Sequence, residues 1–275
     1  MTGSSGTLSQ ITPSGEMQTS VGGTSPALVV RSISAGYSTV PRAIEDISFS
    51  VNIGERIAVL GPNGAGKSTL FKAIVGLIDF NTGEISIHER DCRTSHALVG
   101  YVPQQNRVDW DFPATVRDVV MMGRLRKIGW FHHPGRRDRA AVDAALSRVG
   151  MADKGKRGII DLSGGERQRV FIARALAQEA DVLLLDEPFS AVDATAEREI
   201  LDVLDRLREQ QVTTLIATHD LNLASTRFDR ILLIRRHLVA FGTVREVFTA
   251  ENFARAYGKQ VGVFQDGAFF VIDEH

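Results

Sequence analysis

The segment that decides the fold reads Gly61-Pro62-Asn63-Gly64-Ala65-Gly66-Lys67-Ser68-Thr69 and matches the pattern G-x-x-x-x-G-K-[ST] in full. An apolar run at residues 57–60 precedes it and predicts a buried strand, and apolar residues at helical spacing follow it, namely Leu70, Ile74, Leu77 and Ile78. Glycines let backbone N–H groups ring a phosphate, and the helix N-terminus directs its positive end to the same point. We therefore expect a phosphate-binding loop in which Lys67 reaches the β- and γ-phosphates and the Ser68 hydroxyl binds magnesium.

The composition is that of an ordinary soluble globular protein. The 275 residues are 43% hydrophobic and 24% charged, with a formal net charge of −1, so no overall field favours nucleic acid or anionic lipid. A single cysteine, Cys92, excludes an internal disulfide and suits a reducing cytoplasm. The sequence has no run of about 18 apolar residues and no signal-peptide pattern. We therefore expect any membrane role to come through a partner.

The chain divides into five predicted regions. The first residues are rich in Ser, Thr and Gly, which predicts disorder. Between about residues 106 and 160 the spacing becomes helical, with Gly150 as a stop and an apolar face formed by Val142, Ala145, Leu146 and Val149. The predicted regions are a disordered leader (1–26), the first part of a nucleotide-binding core (27–105), a helical subdomain (106–160), the second part of the core (161–250) and a tail with a β-hairpin (251–275).

Short apolar runs predict the strands of the core. They lie at residues 28–30, 47–51, 57–60, 85–87, 182–185, 212–218 and 231–234. Asn81-Thr82-Gly83-Glu84 is expected to be a turn, and Asp266-Gly267 predicts the turn of the tail hairpin. Since strands alternate with helices, the fold class is α/β with a mostly parallel sheet.

A second motif is Val182-Leu183-Leu184-Leu185-Asp186-Glu187-Pro188. A buried strand that ends in two adjacent acids is unfavourable unless the acids face a cation or a polar cleft, and ligands of α/β sheets bind at the carboxyl ends of strands. We therefore expect Asp186 to hold magnesium, through water. Glu187 points elsewhere and is the candidate base for the attacking water. The alternative is that both acids only cap the following turn.

A third motif is Leu162-Ser163-Gly164-Gly165-Glu166-Arg167-Gln168-Arg169. Ser163 and two glycines open a helix whose apolar stripe includes Val170, Ala173 and Ala177. Alone, this pattern indicates an N-cap. Beside the other two motifs it predicts a second anion site at a helix N-terminus. Because one nucleotide rarely needs two such cradles, the second is expected to serve the ATP of a partner subunit.

The order of these motifs resembles the ATP-binding subunit of ABC transporters over about residues 27–257. The resemblance implies the ABC ATPase fold, a P-loop NTPase core with an N-terminal antiparallel β region and an inserted α-helical subdomain. It further implies that Tyr37 stacks on adenine, that Gln104 contacts magnesium and the attacking water, that Asp193 crosses a dimer interface and that His219 contacts the γ-phosphate. The residues alone leave an alternative for each of these roles. They are Tyr37 as a core tyrosine, Gln105 in place of Gln104, Asp193 as a helix N-cap and His219 as a structural histidine.

The resemblance also implies the cofactors and partners. Two copies close head to tail around two ATP molecules with Mg²⁺, and each nucleotide lies between residues 61–69 of one copy and Ser163, Gly164 and Gly165 of the other. An integral-membrane permease docks on the helical subdomain and holds the ATPase at the cytoplasmic face of the membrane. An extracytoplasmic metal-binding protein takes part indirectly, and no nucleic acid is expected. The family commonly has Gln where this chain has Glu166, which places a carboxylate near the expected phosphate contacts.

The helical subdomain carries the resemblance to a substrate class. Val108-Asp109-Trp110-Asp111-Phe112-Pro113, Met121-Met122-Gly123-Arg124 and Gly129-Trp130 resemble ATPases that serve importers of manganese, zinc or iron. Trp110, Phe112 and Trp130 are either anchors for a permease helix or internal packing. His132-His133 is expected to be a solvated basic loop rather than a metal site.

Three alternatives remain open. An importer of iron chelates, haem or cobalamin would keep every ATPase motif. A soluble ABC-type protein acting on nucleic acid or ribosomes is disfavoured by the single phosphate-binding loop and the absence of a strongly basic composition. A metabolic P-loop kinase would have no use for the second cradle.

Overall fold

The computed structural model describes residues 26–104, 113–129, 132–190, 192–258, 262–265 and 268–271, the last two segments by their backbone only. Residues 1–25 of the predicted disordered leader (1–26), Gln105 and the candidate anchors Trp110, Phe112 and Trp130 lie outside the described residues, whereas Pro26 is in a strand and not in the leader. The strands are β1 (Pro26–Tyr37), β2 (Val40–Asn52), β3 (Arg56–Leu60), β4 (Phe80–Ile87), β5 (Arg90–Asp91), β6 (Val99–Val102), β7 (Val182–Asp186), β8 (Thr213–Ala217), β9 (Arg230–Arg235), β10 (His237–Gly242), β11 (Gly262–Gln265) and β12 (Ala268–Val271).

Helices separate most of these strands. They are α1 (Lys67–Ile74), α2 (Cys92–Ser95), α3 (Val116–Met121), α4 (Leu125–Ile128), α5 (Arg136–Arg148), α6 (Gly164–Ala177), α7 (Ala194–Glu209), α8 (Leu221–Arg227), α9 (Val244–Val247) and α10 (Ala250–Tyr257), with short 3₁₀ turns at His96–Leu98, Met122–Arg124, Ala152–Lys154 and Ile159–Asp161. Across the described ranges, none of the helices combines the length and apolar character needed to cross a bilayer.

Two sheets form the frame of the core. The first is antiparallel, in the order β2-β1-β4-β5, and the second has the order β10-β9-β3-β8-β7-β6. All neighbours in the second sheet are parallel except β10, which is antiparallel to β9. The predicted α/β class, with its antiparallel N-terminal region, is confirmed. The predicted tail hairpin is also present, because β11 pairs with β12 in antiparallel register.

The parallel sheet is covered on both faces. On β3, Ile57 and Val59 join the core between the two sheets, where α1 also packs, while Ala58 and Leu60 join the core beneath the helices. Every residue of β3, β7 and β8 is buried. A sheet buried on both sides needs continuous apolar strands, which is why these runs are recognisable in the sequence.

A helical region between β6 and β7 contains α3, α4, α5 and the start of α6. Its predicted apolar face is confirmed, and Gly150, with φ of +68°, follows the end of α5 as expected. Arg124 is buried at the centre of this region, where its guanidinium bonds Asp138 at 3.0 Å and the carbonyl of Ala177 at 3.0 Å. A further ion pair with Glu179 completes the neutralisation of this charge.

Two local predictions are wrong. Residues 81–84 lie inside β4 rather than in a turn, because pairing with β1 continues through them and Gly83, at φ of +88°, absorbs a register irregularity. The helix after the phosphate-binding loop ends at Ile74, before Leu77 and Ile78. Gly76 adopts φ of +71° there and closes the helix, which leaves Leu77 61% exposed.

Substitution of Gly123 should test the contact between the 3₁₀ turn Met122–Arg124 and α6. A Cβ built on Gly123 lies 2.1 Å from the carbonyl oxygen of Arg174, so we expect Gly123→Ala to lower the free energy of unfolding by about 1–3 kcal/mol through overpacking. Urea unfolding measures this change. Gly155→Ala is the matched control, because its nearest contact would be 3.6 Å. Equal stabilities of the two variants would contradict the tight contact.

Candidate functional site

The phosphate-binding loop joins the end of β3 to the start of α1. Gly61 has φ of +153° and Gly66 has φ of +100°. A Cβ on Gly61 would lie 2.2 Å from the carbonyl oxygen of Ile234, and one on Gly66 would lie 2.4 Å from Cγ2 of Ile44. Both positions therefore require glycine for backbone conformation and for space. The loop is fitted closely between β9 on one side and β2 on the other.

Lys67 lies folded beneath this loop. Its ammonium donates to the carbonyl of Gly61 at 2.7 Å and to that of Pro62 at 3.2 Å, and the residue is buried. Burial lowers the pKa of the Lys67 ammonium, while the nearby carboxylates of Glu187 and Asp186 act to raise that pKa. The cation is thus placed next to the loop backbone and within the field of both strand-end acids.

A polar cleft of about 510 Å³ opens over the loop. It brings together predicted site residues from four separate parts of the sequence, and its lining consists of Tyr37, Ala43, Asn63, Gly64, Ala65, Gly66, Lys67, Ser68, Thr69, Lys72, Gln104 and Glu187.

Tyr37 lies at the rim of this cleft. It is 38% exposed, so the alternative of a core tyrosine is wrong. The ammonium of Lys72 donates to its hydroxyl at 3.3 Å and lies 5.5 Å from the ring centre. Sequence reasoning missed Lys72, because the contact joins residues 35 positions apart and no local spacing marks it.

The two acids at the end of β7 point in different directions. Asp186 is buried and accepts a hydrogen bond from the Tyr101 hydroxyl at 3.2 Å on the neighbouring strand β6. Glu187 has φ of +50°, a conformation that costs a non-glycine residue roughly 1 kcal/mol or more, and its N–H donates to the carbonyl of Ala217 at 3.1 Å. The Gln104 amide donates to the Glu187 carboxylate at 2.7 Å. Sequence reasoning missed Tyr101, although it lies three residues before Gln104.

Asp193 and His219 do not line the cleft. Asp193 is the N-cap of α7 and accepts from the N–H groups of Thr195 and Ala196 at 2.9 and 2.8 Å, so the N-cap alternative is confirmed. His219 is exposed and follows β8, two residues after Ala217, which pairs with Asp186. The predicted metal-free loop at His132-His133 is exposed as well.

Ser163, Gly164 and Gly165 also lie apart from the cleft lining. Ser163 is the N-cap of α6, and the Glu166 carboxylate accepts from the Ser163 N–H at 2.8 Å, so the two residues cap the helix reciprocally. The other oxygen of Glu166 accepts from the Lys154 ammonium at 2.6 Å. This pairing with Lys154 and the bonds from Ser163 lower the pKa of Glu166 to about 2.

The predicted magnesium ligands fit a hard divalent cation. Ser68 offers a hydroxyl, Gln104 an amide oxygen and Asp186 a carboxylate, and oxygen donors of this kind suit Mg²⁺ when phosphates and water complete the octahedron. The described residues contain no cluster of three or more His, Cys, Asp or Glu side chains arranged for a metal.

The combination of this loop, the strand-end acids and the parallel sheet defines a P-loop nucleoside triphosphatase (NTPase). The sequence pattern of the ABC transporter family matches residues 44–190. The chain is 46% identical over 234 residues to the manganese transport system ATP-binding protein MntB of Bacillus subtilis, covering 85% of this chain and 93% of that protein. It is 42% identical over 241 residues to the zinc transport system ATP-binding protein TroB of Treponema pallidum, covering 88% and 90%.

A solved structure agrees with these relatives. An inward-facing putative metal-chelate type ABC transporter superposes with a TM-score of 0.75 at 30% identity, over 89% of this chain and 95% of that chain. The chain belongs to the ABC transporter family, as one of its ATP-binding subunits. Nucleotide binding and the hydrolysis of ATP to power transport are therefore its activity.

Glu166→Gln should reveal the charge of this capping group in the pH dependence of stability. The pKa of Glu166 is about 2 in the folded chain against 4.5 without the fold. Its stabilising effect is therefore fully present above pH 4.5 and is lost as the pH falls toward 2. In urea unfolding we expect the variant to be less stable than the natural chain at pH 7, with the difference narrowing by pH 3. Glu84→Gln, whose partner Arg31 is exposed, is the control. A constant difference from pH 7 to 3 would contradict the ion pair.

Proposed function

We propose that this chain is the ATP-hydrolysing subunit of an importer for a divalent metal ion, namely manganese, zinc or iron. It acts as a homodimer at the cytoplasmic face of the membrane, bound there by a permease. The observation that carries the proposal is the cleft at the phosphate-binding loop, which Lys67, Gln104 and Glu187 line together. The relatives named for manganese and zinc transport support the substrate class.

The shared nucleotide site follows from where the two anion cradles lie. Residues 63–69 of the phosphate-binding loop line the cleft, whereas the N-terminus of α6 does not. Both are glycine-rich helix starts, which favour phosphate through backbone N–H groups and the helix dipole. Two copies placed head to tail bring the second cradle of each onto the ATP of the other. Asp193, at the start of α7, then lies at the interface between copies.

Each predicted residue has a role in hydrolysis. Lys67 binds the β- and γ-phosphates, and Tyr37 at the rim stacks on adenine. Ser68, Gln104 and Asp186 hold the magnesium ion, which, when bound, neutralises charge on the phosphates. Glu187, already bonded to Gln104, orients the attacking water and accepts its proton. His219 contacts the γ-phosphate from the end of β8.

Glu187→Gln tests the base. We expect turnover to fall by about 10²–10⁴-fold, the usual contribution of a general base, while nucleotide binding persists because the phosphate-binding loop is unchanged. Phosphate release measures the rate, and gel filtration with ATP should show a dimer of the variant. Glu84→Gln is the matched control with unchanged turnover. A near-normal rate would remove Glu187 from this role.

The docking surface for the permease is proposed on the helical region. Leu125 is 61% exposed, and a mostly apolar cavity of about 550 Å³ is lined there by Met121, Leu125, Arg126, Ile128, Gly129, His132 and Pro134. Leu77 lines a neighbouring cavity beside Met122. Exposed apolar side chains grouped in this way are typical of an interaction site, and an apolar permease helix is the occupant that a transport subunit requires.

The proposed substrate class is based on the similarity to the manganese and zinc transport relatives. The alternative is an importer of an iron chelate, haem or cobalamin, which the similarity to a putative metal-chelate transporter keeps open. Both versions use the same ATPase site, since a transported substrate contacts the permease and its binding protein rather than this subunit.

Metal uptake by cells tests docking and substrate together. We expect cells lacking the protein to lose uptake of radiolabelled Mn²⁺, Zn²⁺ or Fe²⁺, and the natural gene to restore it. Leu125→Glu should keep the ATPase rate of the isolated subunit and fail to restore uptake, because a charge enters the apolar contact. Ile53→Glu, at an exposed turn, is the control that restores uptake. Unaltered uptake of all three ions without the protein would contradict the metal assignment.

A further inference from the structure

The Glu166 carboxylate occupies an electrostatically unusual position. It is the third residue of α6, the helix whose N-terminus we assign above to the partner's ATP. One oxygen accepts from the Ser163 N–H at 2.8 Å and the other from the Lys154 ammonium at 2.6 Å. Both side chains are mostly buried, with 15% of Glu166 and 29% of Lys154 exposed. A partly buried ion pair is less screened than a surface one.

Lys154 is itself held in place by its backbone. It ends the 3₁₀ turn Ala152–Lys154, its N–H donates to the carbonyl of Met151 at 3.2 Å, and its carbonyl accepts from Arg157 at 2.9 Å. The next residues accept hydrogen bonds from the start of α3: Gly155 from Arg117 and Arg157 from Val116, both at 2.9 Å. The Lys154 ammonium thus reaches Glu166 of α6 from a segment that is hydrogen-bonded to the start of α3.

A carboxylate without this partner would oppose the function of the helix start. The dipole and N–H groups of an α-helix attract an anion, and a negative charge in the first turn cancels part of that attraction and repels a nearby phosphate. Glu166 also caps α6. The same side chain therefore provides an N-cap contact and places a negative charge at the proposed anion site. Lys154 removes this conflict by supplying the opposite charge.

We propose that Lys154 is a positioning residue for ATP hydrolysis: its ammonium neutralises and orients Glu166, so that the N-terminus of α6 can accept the phosphates of the nucleotide held by the second copy. The proposal rests on the shared site proposed above. It adds that the pair formed by Lys154 and Glu166 is a unit, in which each member is tolerated near the nucleotide because of the other.

A double-mutant cycle tests this unit. We expect Lys154→Gln to lower kcat/KM for MgATP by about tenfold, chiefly through a higher KM, because one uncompensated charge changes anion affinity by about this factor. The same substitution in the Glu166→Gln background should change kcat/KM by less than about twofold, since no carboxylate remains to be neutralised. Lys154→Arg should keep the natural value because it keeps the charge.

The outcomes separate this role from a structural one. Urea unfolding is measured on every variant, and kcat/KM is compared under conditions in which each variant is fully folded, because the same ion pair also couples the two residues in stability. Full activity of Lys154→Gln, or an equal loss in both backgrounds, would overturn the proposal.

Dimerisation distinguishes the two proposals. In the Glu187→Gln background we expect Lys154→Gln to raise the ATP concentration needed for dimers in gel filtration by about tenfold. If Glu187→Gln alone forms no ATP-dependent dimer, the shared site fails and the role of Lys154 fails with it. If that dimer forms at the same ATP concentration with and without Lys154, only the role of Lys154 is overturned.

Discussion

The close packing of the phosphate-binding loop against both sheets, at the end of β3, is the constraint on which the structure depends. Gly61 packs against a carbonyl of β9 and Gly66 against Ile44 of β2, so the loop keeps its shape because both sheets press on it. The antiparallel sheet therefore helps to determine the shape of the phosphate-binding loop. The space between the two sheets is filled by α1 and by the inner faces of both sheets. This packing fixes the direction in which Lys67, the first residue of α1, points into the loop.

The two acids at the end of β7 reduce the cost of placing a cation under the loop. Burial disfavours the charged Lys67 ammonium, and Asp186 and Glu187 oppose that effect. Adjacent residues on a regular strand face opposite sides of the sheet. Glu187 departs from this pattern, because its positive φ turns its side chain toward Gln104. The hydrogen bond from its N–H to the carbonyl of Ala217 on β8 holds this conformation, so the order of the central strands determines where the Glu187 carboxylate points.

Local patterns predicted much of this arrangement, and long-range contacts explain what they missed. The buried strands at residues 57–60 and 182–185 were predictable because a sheet covered on both faces leaves an apolar run, and the caps of α6 and α7 because each uses residues within three positions. The β4 segment at residues 81–84 was mistaken for a turn because its pairing with β1 outweighs its turn-forming composition. Tyr101 and Lys72 were missed because their partners are 85 and 35 positions away.

The two anion cradles are unequal in strength, and the difference bears on how a nucleotide controls assembly. The loop at residues 61–69 offers a buried ammonium beside its backbone, and charge-assisted hydrogen bonds of this kind are about twice as strong as neutral ones. At α6 the N–H groups of Ser163 and Glu166 already serve the cap, and the nearest carboxylate is balanced by Lys154. The remaining attraction of that cradle for an anion comes chiefly from the helix dipole, which contributes about 0.3–1 kcal/mol for a charged group at a helix terminus. In the proposed dimer, a cradle of this strength would engage only nucleotide that the stronger loop of the other copy already holds, and association of the copies would then be conditional on ATP.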